Sequence, residues 1–212
     1  MVDRLRAQEI SATKLDQSAR TPLSAATLSS EILYEGWGTL ARFAFRYRRP
    51  DGESDQMSRE IYDRGQSGAV LLYNDKRGTV VLVKQFRPTP MVNGENPYLL
   101  EACAGLLDDD EPEECVRREA VEEAGISVAD LSLVSAAYSN PAALTEVVSM
   151  FIGTFEDDRR TSGGGLAHED EHIEVVELPF DEAYELIAAG GIVDMKTIVL
   201  LQHLKIKRMQ SY

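Results

Sequence analysis

Glu119, Glu122 and Glu123 recur at i, i+3 and i+4, the spacing that gathers side chains on one side of an α-helix. Arg118 precedes Glu122 by four residues, the separation of a helical ion pair, which would hold Glu122 and leave Glu119 and Glu123 free. On a wheel of about 100° per residue, Glu119 and Glu123 sit one turn apart, flanked by Cys115 and Val116. Two carboxylates between apolar neighbours offer hard oxygen ligands and suit Mg²⁺ or Mn²⁺ better than a softer metal. From the helix alone, a glutamate-rich solvated face is the equal alternative.

The acid is clustered beyond this helix. The chain of 212 residues carries 36 Asp and Glu against 22 Lys and Arg, a net charge of −14, which disfavours nucleic acid or an anionic membrane as a general partner. Two stretches, 101–125 and 166–185, hold half of these acids. Carboxylates packed together repel unless solvent or cations intervene, so each stretch is either a solvated face or part of a metal site. A rival arrangement is His168-Glu169-Asp170-Glu171-His172, which fits the H-E-x-x-H spacing of zinc proteases. That chemistry needs both histidines on one helix face. Here the segment follows Gly163-Gly164-Gly165 and runs into the β-branched stretch Ile173–Leu178, so no helix of useful length fits, and the remaining histidine, His203, offers little as a third ligand.

The elements that must position these residues follow from patterning. Pro112–Ala124 reads as a helix, with Pro112 at the first helical position, acids in the first turn and Gly125 just past the end. Strands are predicted at Arg42–Arg48, where Phe43, Phe45 and Tyr47 alternate with polar neighbours, near Arg59–Tyr62, and at Ala69–Tyr73, Thr79–Phe86 and Tyr98–Cys103. Further strands are predicted at Leu131–Tyr138, Glu146–Phe155 and Ile173–Leu178, then helices at Phe180–Ala189 and Lys196–Lys207. The stretch 88–97 reads as a loop. Short strands interspersed with helices point to an α+β fold, a mixed α/β/α sandwich. The expected organisation is an N-terminal extension (1–30), loose or helical, a small antiparallel strand subdomain (31–65) and a main domain (66–212).

With 43% apolar and 27% charged residues the chain has material for a real core. No apolar run reaches the roughly 18 residues of a membrane span, and the first 30 residues lack a secretory apolar core and carry Asp3, Glu9 and Asp16, against the pattern of a transit peptide. Cys103 and Cys115 cannot make a disulfide scaffold; they suit a reducing cytoplasm and read as small buried hydrophobes.

Gly105-Leu106-Leu107-Asp108-Asp109-Asp110-Glu111, followed after six residues by Arg118-Glu119-Ala120-Val121-Glu122-Glu123-Ala124-Gly125-Ile126, resembles the Nudix box. That box marks hydrolases of nucleoside diphosphates linked to another group. The spacer is one residue shorter than the general pattern and Ala120 replaces a larger aliphatic. The short spacer is similar to the box of the GDP-mannose pyrophosphatase branch, which is close to the ADP-ribose pyrophosphatases. Arg59–Gly65, Gln85-Phe86-Arg87, Val92-Asn93-Gly94, the three glycines 163–165, Asp170-Glu171 and Asp194–Thr197 resemble that branch too, so the likeness covers about residues 32–207.

The resemblance implies Mg²⁺, with Mn²⁺ as a substitute, held by Glu119, Glu123, the Ala104 carbonyl and Glu171. Arg118 and Glu122 would support those ligands, and Glu146 is the general-base candidate. For substrate it implies Arg59, Glu60, Arg64 and Arg87, with Ala104 and Gly105 beside the phosphates and Asp170 and Lys196 at the sugar or nucleotide. Trp37 is a candidate to stack on the base, whereas Arg42, Arg46, Arg48 and Arg49 read as solvated surface. The implied reaction is hydrolysis of the pyrophosphate bond of a nucleotide sugar. GDP-mannose, giving GMP and mannose 1-phosphate, stands first and ADP-ribose second. A degenerate module that only binds a nucleotide sugar is the alternative of another class, although such a module is expected to have lost box carboxylates that are all present here. The branch also implies a homodimer in which residues 31–65 complete the partner's site.

Overall fold

The computed structural model describes residues 10–11, 24–156, 163–165 and 172–210. It divides into two compact units, residues 1–65 with 138–146, and residues 66–137 with 147–212.

The first unit is a four-stranded antiparallel sheet of β1 (Ile10–Ser11), β2 (Ser24–Glu35), β3 (Thr39–Arg48) and β4 (Ser54–Asp63), in that order. The strand expected at Arg42–Arg48 is present and longer, with Ala41 and Phe43 buried and the Phe43 and Phe45 rings stacked 5.8 Å apart. β2 crosses the boundary expected at residues 30 and 31, so the extension's last residues are strand rather than a loose or helical arm. Ser24–Ser30 carries no apolar contrast between its faces; its strand state comes from the ladder to β3, with Ala25 opposite Tyr47 and Thr27 opposite Phe45. Arg42 bridges Glu31 of β2 (3.4 Å) and Glu60 of β4 (3.1 Å), its opposite numbers in register, although exposed pairs of this kind add little stability. Beyond the end of β4, the segment 143–145 docks on the strand. The Tyr62 N–H donates to the Ala143 carbonyl (2.8 Å) and the Thr145 N–H to the Tyr62 carbonyl (3.2 Å). The buried Asp63 carboxylate accepts from the Thr145 hydroxyl (2.6 Å) and the Gly65 N–H (3.1 Å).

The second unit contains β5 (Ser67–Asn74), β6 (Thr79–Phe86), α1 (Pro88–Val92), β7 (Tyr98–Glu101), β8 (Cys103–Leu106), α2 (Pro112–Ala124), β9 (Leu131–Tyr138), β10 (Val147–Thr154), β11 (Glu174–Pro179), α3 (Phe180–Ala189) and α4 (Met195–Gln210). The sheet runs β11-β6-β5-β10-β9, with β10 parallel to β5 and β11 antiparallel to β6. β5 and β6 are paired only over Leu72–Asn74 and Thr79–Val81, after which they part like a fork. β7 lines the β6 prong (Glu101 opposite Val83) and β8 lines the β5 prong (Ala104 opposite Ala69).

The single strand expected over Tyr98–Cys103 is therefore two. The ladder breaks at Ala102, where the chain changes neighbours, and the Ala102 N–H is satisfied instead by the Thr197 hydroxyl oxygen (2.7 Å). The expected 88–97 loop contains the short helix α1 and is closed by the Arg87 N–H donating to the Pro97 carbonyl (2.7 Å).

β5 is buried along its whole length, because both faces of the sheet are covered. Val70, Leu72, Val81 and Val83 pack against Val116 and Ala120 of α2. Ala69, Leu71, Val80 and Leu82 pack against Phe180 of α3 and Leu200, Leu201 and Leu204 of α4. This is the α/β/α layering expected from the alternation of elements. Gly68 permits the close seat of α2, since a Cβ there would stand 2.7 Å from Val116 Cγ1.

Candidate functional site

α2 begins at Pro112, carries Glu113 and Glu114 in its first turn and ends on Gly125 in the left-handed conformation (φ 68°). These signals fix the helix phase, and with it the direction of Glu119 and Glu123. Glu123 faces the sheet and is 1% exposed. A carboxylate so buried is costly unless its oxygens are bonded. One oxygen accepts from the Ala104 N–H of β8 (3.0 Å), the other from the Gln85 amide of β6 (3.3 Å). A residue in a strand turns its N–H and C=O to the same edge, so the Ala104 carbonyl shares the edge that meets Glu123.

Glu119 lies one turn earlier with its side chain 12% exposed. It rests against Gly105, where an ideal Cβ would fall 1.9 Å from Glu119 Oε1. Arg118 Nη1 donates to Glu119 Oε1 (2.7 Å) and to Glu122 Oε2 (2.9 Å), while its Nε donates to Asp110 Oδ2 (3.1 Å) and its Nη2 to the Leu106 carbonyl (3.4 Å). The expected Arg118–Glu122 pair is thus present, but Glu119 is not left free. Asp110 and Leu106, in the segment before α2, draw the guanidinium to where one nitrogen serves both glutamates. Partial burial works against the Arg118 charge, yet its bond to Asp110 and the neighbouring Glu119 and Glu122 raise its pKa overall. Burial pushes the Cys103 thiol well up, reinforced by Glu123. Burial and then Glu119 push the Cys115 thiol to about 11, with Arg118 opposing. Both cysteines are free and buried, as read from the sequence.

Among the described residues, no group of three or more His, Cys, Asp or Glu side chains is assembled that could hold a metal ion. Glu171 and Asp170 lie outside the described residues, as do His168 and Glu169. What the described chain offers is an all-oxygen set, two carboxylates of one helix and a strand carbonyl, whose chemistry fits a hard divalent cation. His172, the one described residue of the H-E-x-x-H segment, is exposed and non-helical and precedes β11.

The second constellation in this unit was not legible as a unit in the sequence. Glu101, at the end of β7, accepts a two-point bond from Arg87 (Nε to Oε1 2.9 Å, Nη2 to Oε2 3.1 Å) and a further bond from Lys196 Nζ. Lys196 also donates to Asp194 Oδ1 (3.0 Å), and Asp194 caps α4 by accepting from the Thr197 N–H (3.0 Å). Burial disfavours the Glu101 anion, but Lys196 and the Arg87 bond outweigh it and hold its pKa below the usual carboxylate value. The signals for Gln85 and Glu101 were a polar residue inside or at the end of an otherwise apolar strand. The three glycines have a role of their own. Gly164 and Gly165 donate N–H groups to the Glu123 carbonyl (2.9 Å) and the Glu122 carbonyl (3.1 Å), satisfying carbonyls that the last turn of α2 leaves open. A Cβ on Gly163 would meet the Ala124 backbone at 2.4 Å.

The remaining residues singled out in the sequence belong to the first unit. Trp37 is 75% exposed and the Arg64 guanidinium lies over its ring. Arg59 is exposed and donates to the Ser58 carbonyl (2.8 Å), and Glu60 pairs with Arg42. Glu146 is half-buried, its carbonyl accepting from the Ser139 N–H (3.2 Å) at the base of the 143–145 segment.

The Nudix domain profile matches residues 64–198, the stretch that carries the Glu119–Glu123 helix. The chain belongs to the Nudix family. The profile described as the GDP-mannose pyrophosphatase NudK N-terminal domain matches residues 27–62. Among curated Nudix relatives, a GDP-mannose pyrophosphatase of Cronobacter sakazakii is 47% identical over 188 residues, covering 87% of this chain and 97% of the relative. One of Escherichia coli strain K12 is 44% identical over 185 residues (87% and 96%), and one of Klebsiella pneumoniae 46% over 186 residues (87% and 93%). A crystal structure of an ADP compounds hydrolase superposes with TM-score 0.68 at 16% identity, covering 88% of this chain and 95% of that one, a likeness of fold.

Proposed function

We propose that this Nudix protein hydrolyses the pyrophosphate bond of a nucleoside diphosphate sugar, with GDP-mannose as substrate and GMP and mannose 1-phosphate as products. The observation that carries the reading is the Glu123 carboxylate, buried yet held by Ala104 and Gln85 one turn from Glu119, in a chain 44–47% identical to proteins named GDP-mannose pyrophosphatase. Glu119, Glu123 and the Ala104 carbonyl, with Glu171, would hold Mg²⁺ or Mn²⁺. When bound, the metal neutralises diphosphate oxygens and activates the attacking water. The chain's own work is then clear. Arg118 fixes Glu119 and Glu122, Gln85 and the Ala104 N–H fix Glu123, and Arg87 and Lys196 take phosphate or sugar oxygens. Glu146 accepts the proton of the water whose oxygen bonds to phosphorus as the anhydride P–O bond breaks.

The reading extends to a cytoplasmic homodimer. Two free cysteines suit a reducing compartment. Leu28, Ile32 and Tyr34 of β2 are exposed, which suits pairing of the first unit with a second copy, so that Trp37, Arg59, Glu60 and Arg64 would serve the partner's substrate. Asp170 would contact the sugar. The test is a turnover panel of GDP-mannose, GDP-glucose, ADP-ribose and dinucleotides with Mg²⁺, together with Glu123→Gln. GDP-mannose should be the fastest, and Glu123→Gln should lose at least ~10³-fold in kcat with its fold intact. Faster ADP-ribose turnover refutes the substrate, and wild-type activity of Glu123→Gln refutes the site.

A further inference from the structure

Glu101 has a side chain 3% exposed and gathers two cations from opposite ends of the unit's chain, Arg87 just past β6 and Lys196 in the first turn of α4. A structural tie between two elements needs one cation. Here the carboxylate oxygens receive three donors, and the cations keep part of their surface open, Arg87 at 37% and Lys196 at 18%. Neither end of the array is loose. Lys196 is held by Asp194, whose other oxygen caps α4, and Thr197 of that cap receives the Ala102 N–H next to Glu101. Two residues separate Glu101 from Ala104, and Gln85, two before Arg87, bonds Glu123. The pair of cations is therefore built into the same strand ends that fix the Glu123 carboxylate. An exposed lysine loses rotamer freedom when it grips an anion, and a guanidinium already clamped in its plane loses less.

We propose that Glu101 is a positioning residue that holds Arg87 and Lys196 side by side as a two-cation cradle for the phosphate oxygens of the substrate. The inference rests on the reading of Arg87 and Lys196 as substrate residues. It predicts a counter-intuitive sign. Deleting the negative charge of Glu101 frees two cations, so simple Coulomb attraction would tighten anion binding, whereas loss of positioning weakens it. The test uses the full-length protein with GDP-mannose and Mg²⁺, plus calorimetric GMP binding in EDTA, on Glu101→Gln, Arg87→Lys and Lys196→Met, with melting temperatures measured for each. Glu101→Gln should raise KM and weaken GMP about tenfold, the scale of one charge-assisted contact, with a smaller change in kcat. A lower KM overturns the proposal, because the carboxylate then competes with substrate. An unchanged KM with a lower melting temperature overturns it too, leaving a structural tie. If Glu101→Gln does not fold, Arg87→Lys decides, since it keeps the charge and loses the two-point grip: weaker binding supports the proposal and wild-type binding overturns it. If Lys196→Met itself leaves KM and GMP binding unchanged, the reading beneath the proposal fails; if it weakens both while Glu101→Gln does not, positioning alone fails.

Discussion

Gly105→Ala isolates the seat of Glu119. The backbone at Gly105 is not in the left-handed region, so alanine introduces no strain in φ and the whole effect comes from one methyl group. That methyl would stand 1.9 Å from Glu119 Oε1, 2.2 Å from Cδ and 2.9 Å from Cγ. The carboxylate must retreat by at least 1.1 Å to reach the 3.0 Å of the tightest ordinary contacts. It is the end of a flexible side chain, so it is able to move, at an off-rotamer cost of about 1 kcal/mol, and the fold survives. Its contact with Arg118 Nη1 at 2.7 Å does not survive such a shift. A displacement of about 1 Å in a group that orients the reaction costs on the order of 10²-fold, or about 2.7 kcal/mol of transition-state stabilisation. We therefore expect kcat/KM for GDP-mannose to fall about 10²-fold, the Mg²⁺ concentration for half activity to rise, and the melting temperature to drop by only a few degrees. Steady-state turnover across a Mg²⁺ titration, with thermal unfolding of the same sample, measures all three. Wild-type Mg²⁺ dependence and rate in a folded Gly105→Ala protein would refute the assignment of Glu119.

Two further outcomes concern stability. Gly163→Ala sets its Cβ against backbone (2.4 Å from Ala124 C, 2.5 Å from Gly125 N), which cannot swing aside, so the loop should detach from the end of α2 and cost about 2 kcal/mol, read by denaturant unfolding; an unchanged midpoint contradicts the docking. Glu101 has a folded pKa below its ordinary 4.5, so its pairing stabilises the fold fully above that value and the contribution is lost as pH falls through the depressed folded value. The stability gap between wild type and Glu101→Gln should accordingly be widest near neutral pH and narrow as pH falls below the ordinary value and through the depressed folded one, and a gap independent of pH contradicts the ionised pair.

Much of the second unit was legible because its signals are local. Pro112 and Gly125 bracket α2 at the predicted residues, and the β-branched run of β6 and the span of α3 also match. The contacts that make the site were not local. Gln85 and Glu123 are 38 residues apart and Glu101 and Lys196 are 95 apart, and periodicity carries no information about partners at that distance. The break at Ala102 had no glycine or proline to mark it, because the cause is a change of neighbouring strand. The last residues of the extension were expected to be loose or helical because a polar strand such as the start of β2, held by its ladder, lacks the alternation on which strand assignment depends. Arg118 was read correctly as a partner of Glu122, but its reach to Glu119 depends on Asp110 and Leu106 arriving from outside the helix.

The parting of β5 from β6 sets a rule for how this chain tolerates insertions and deletions. Since β7 and β8 occupy opposite prongs with only Ala102 between them, gaining or losing one residue there inverts the facing of one strand relative to the other. Glu101 would then turn away from Arg87, or Ala104 from the glutamate of α2. The interval from the buried acid to the strand carbonyl is thus fixed to the residue, and variation in length must be absorbed upstream, in the turn after α1 where Gly94 adopts a left-handed φ of 78°.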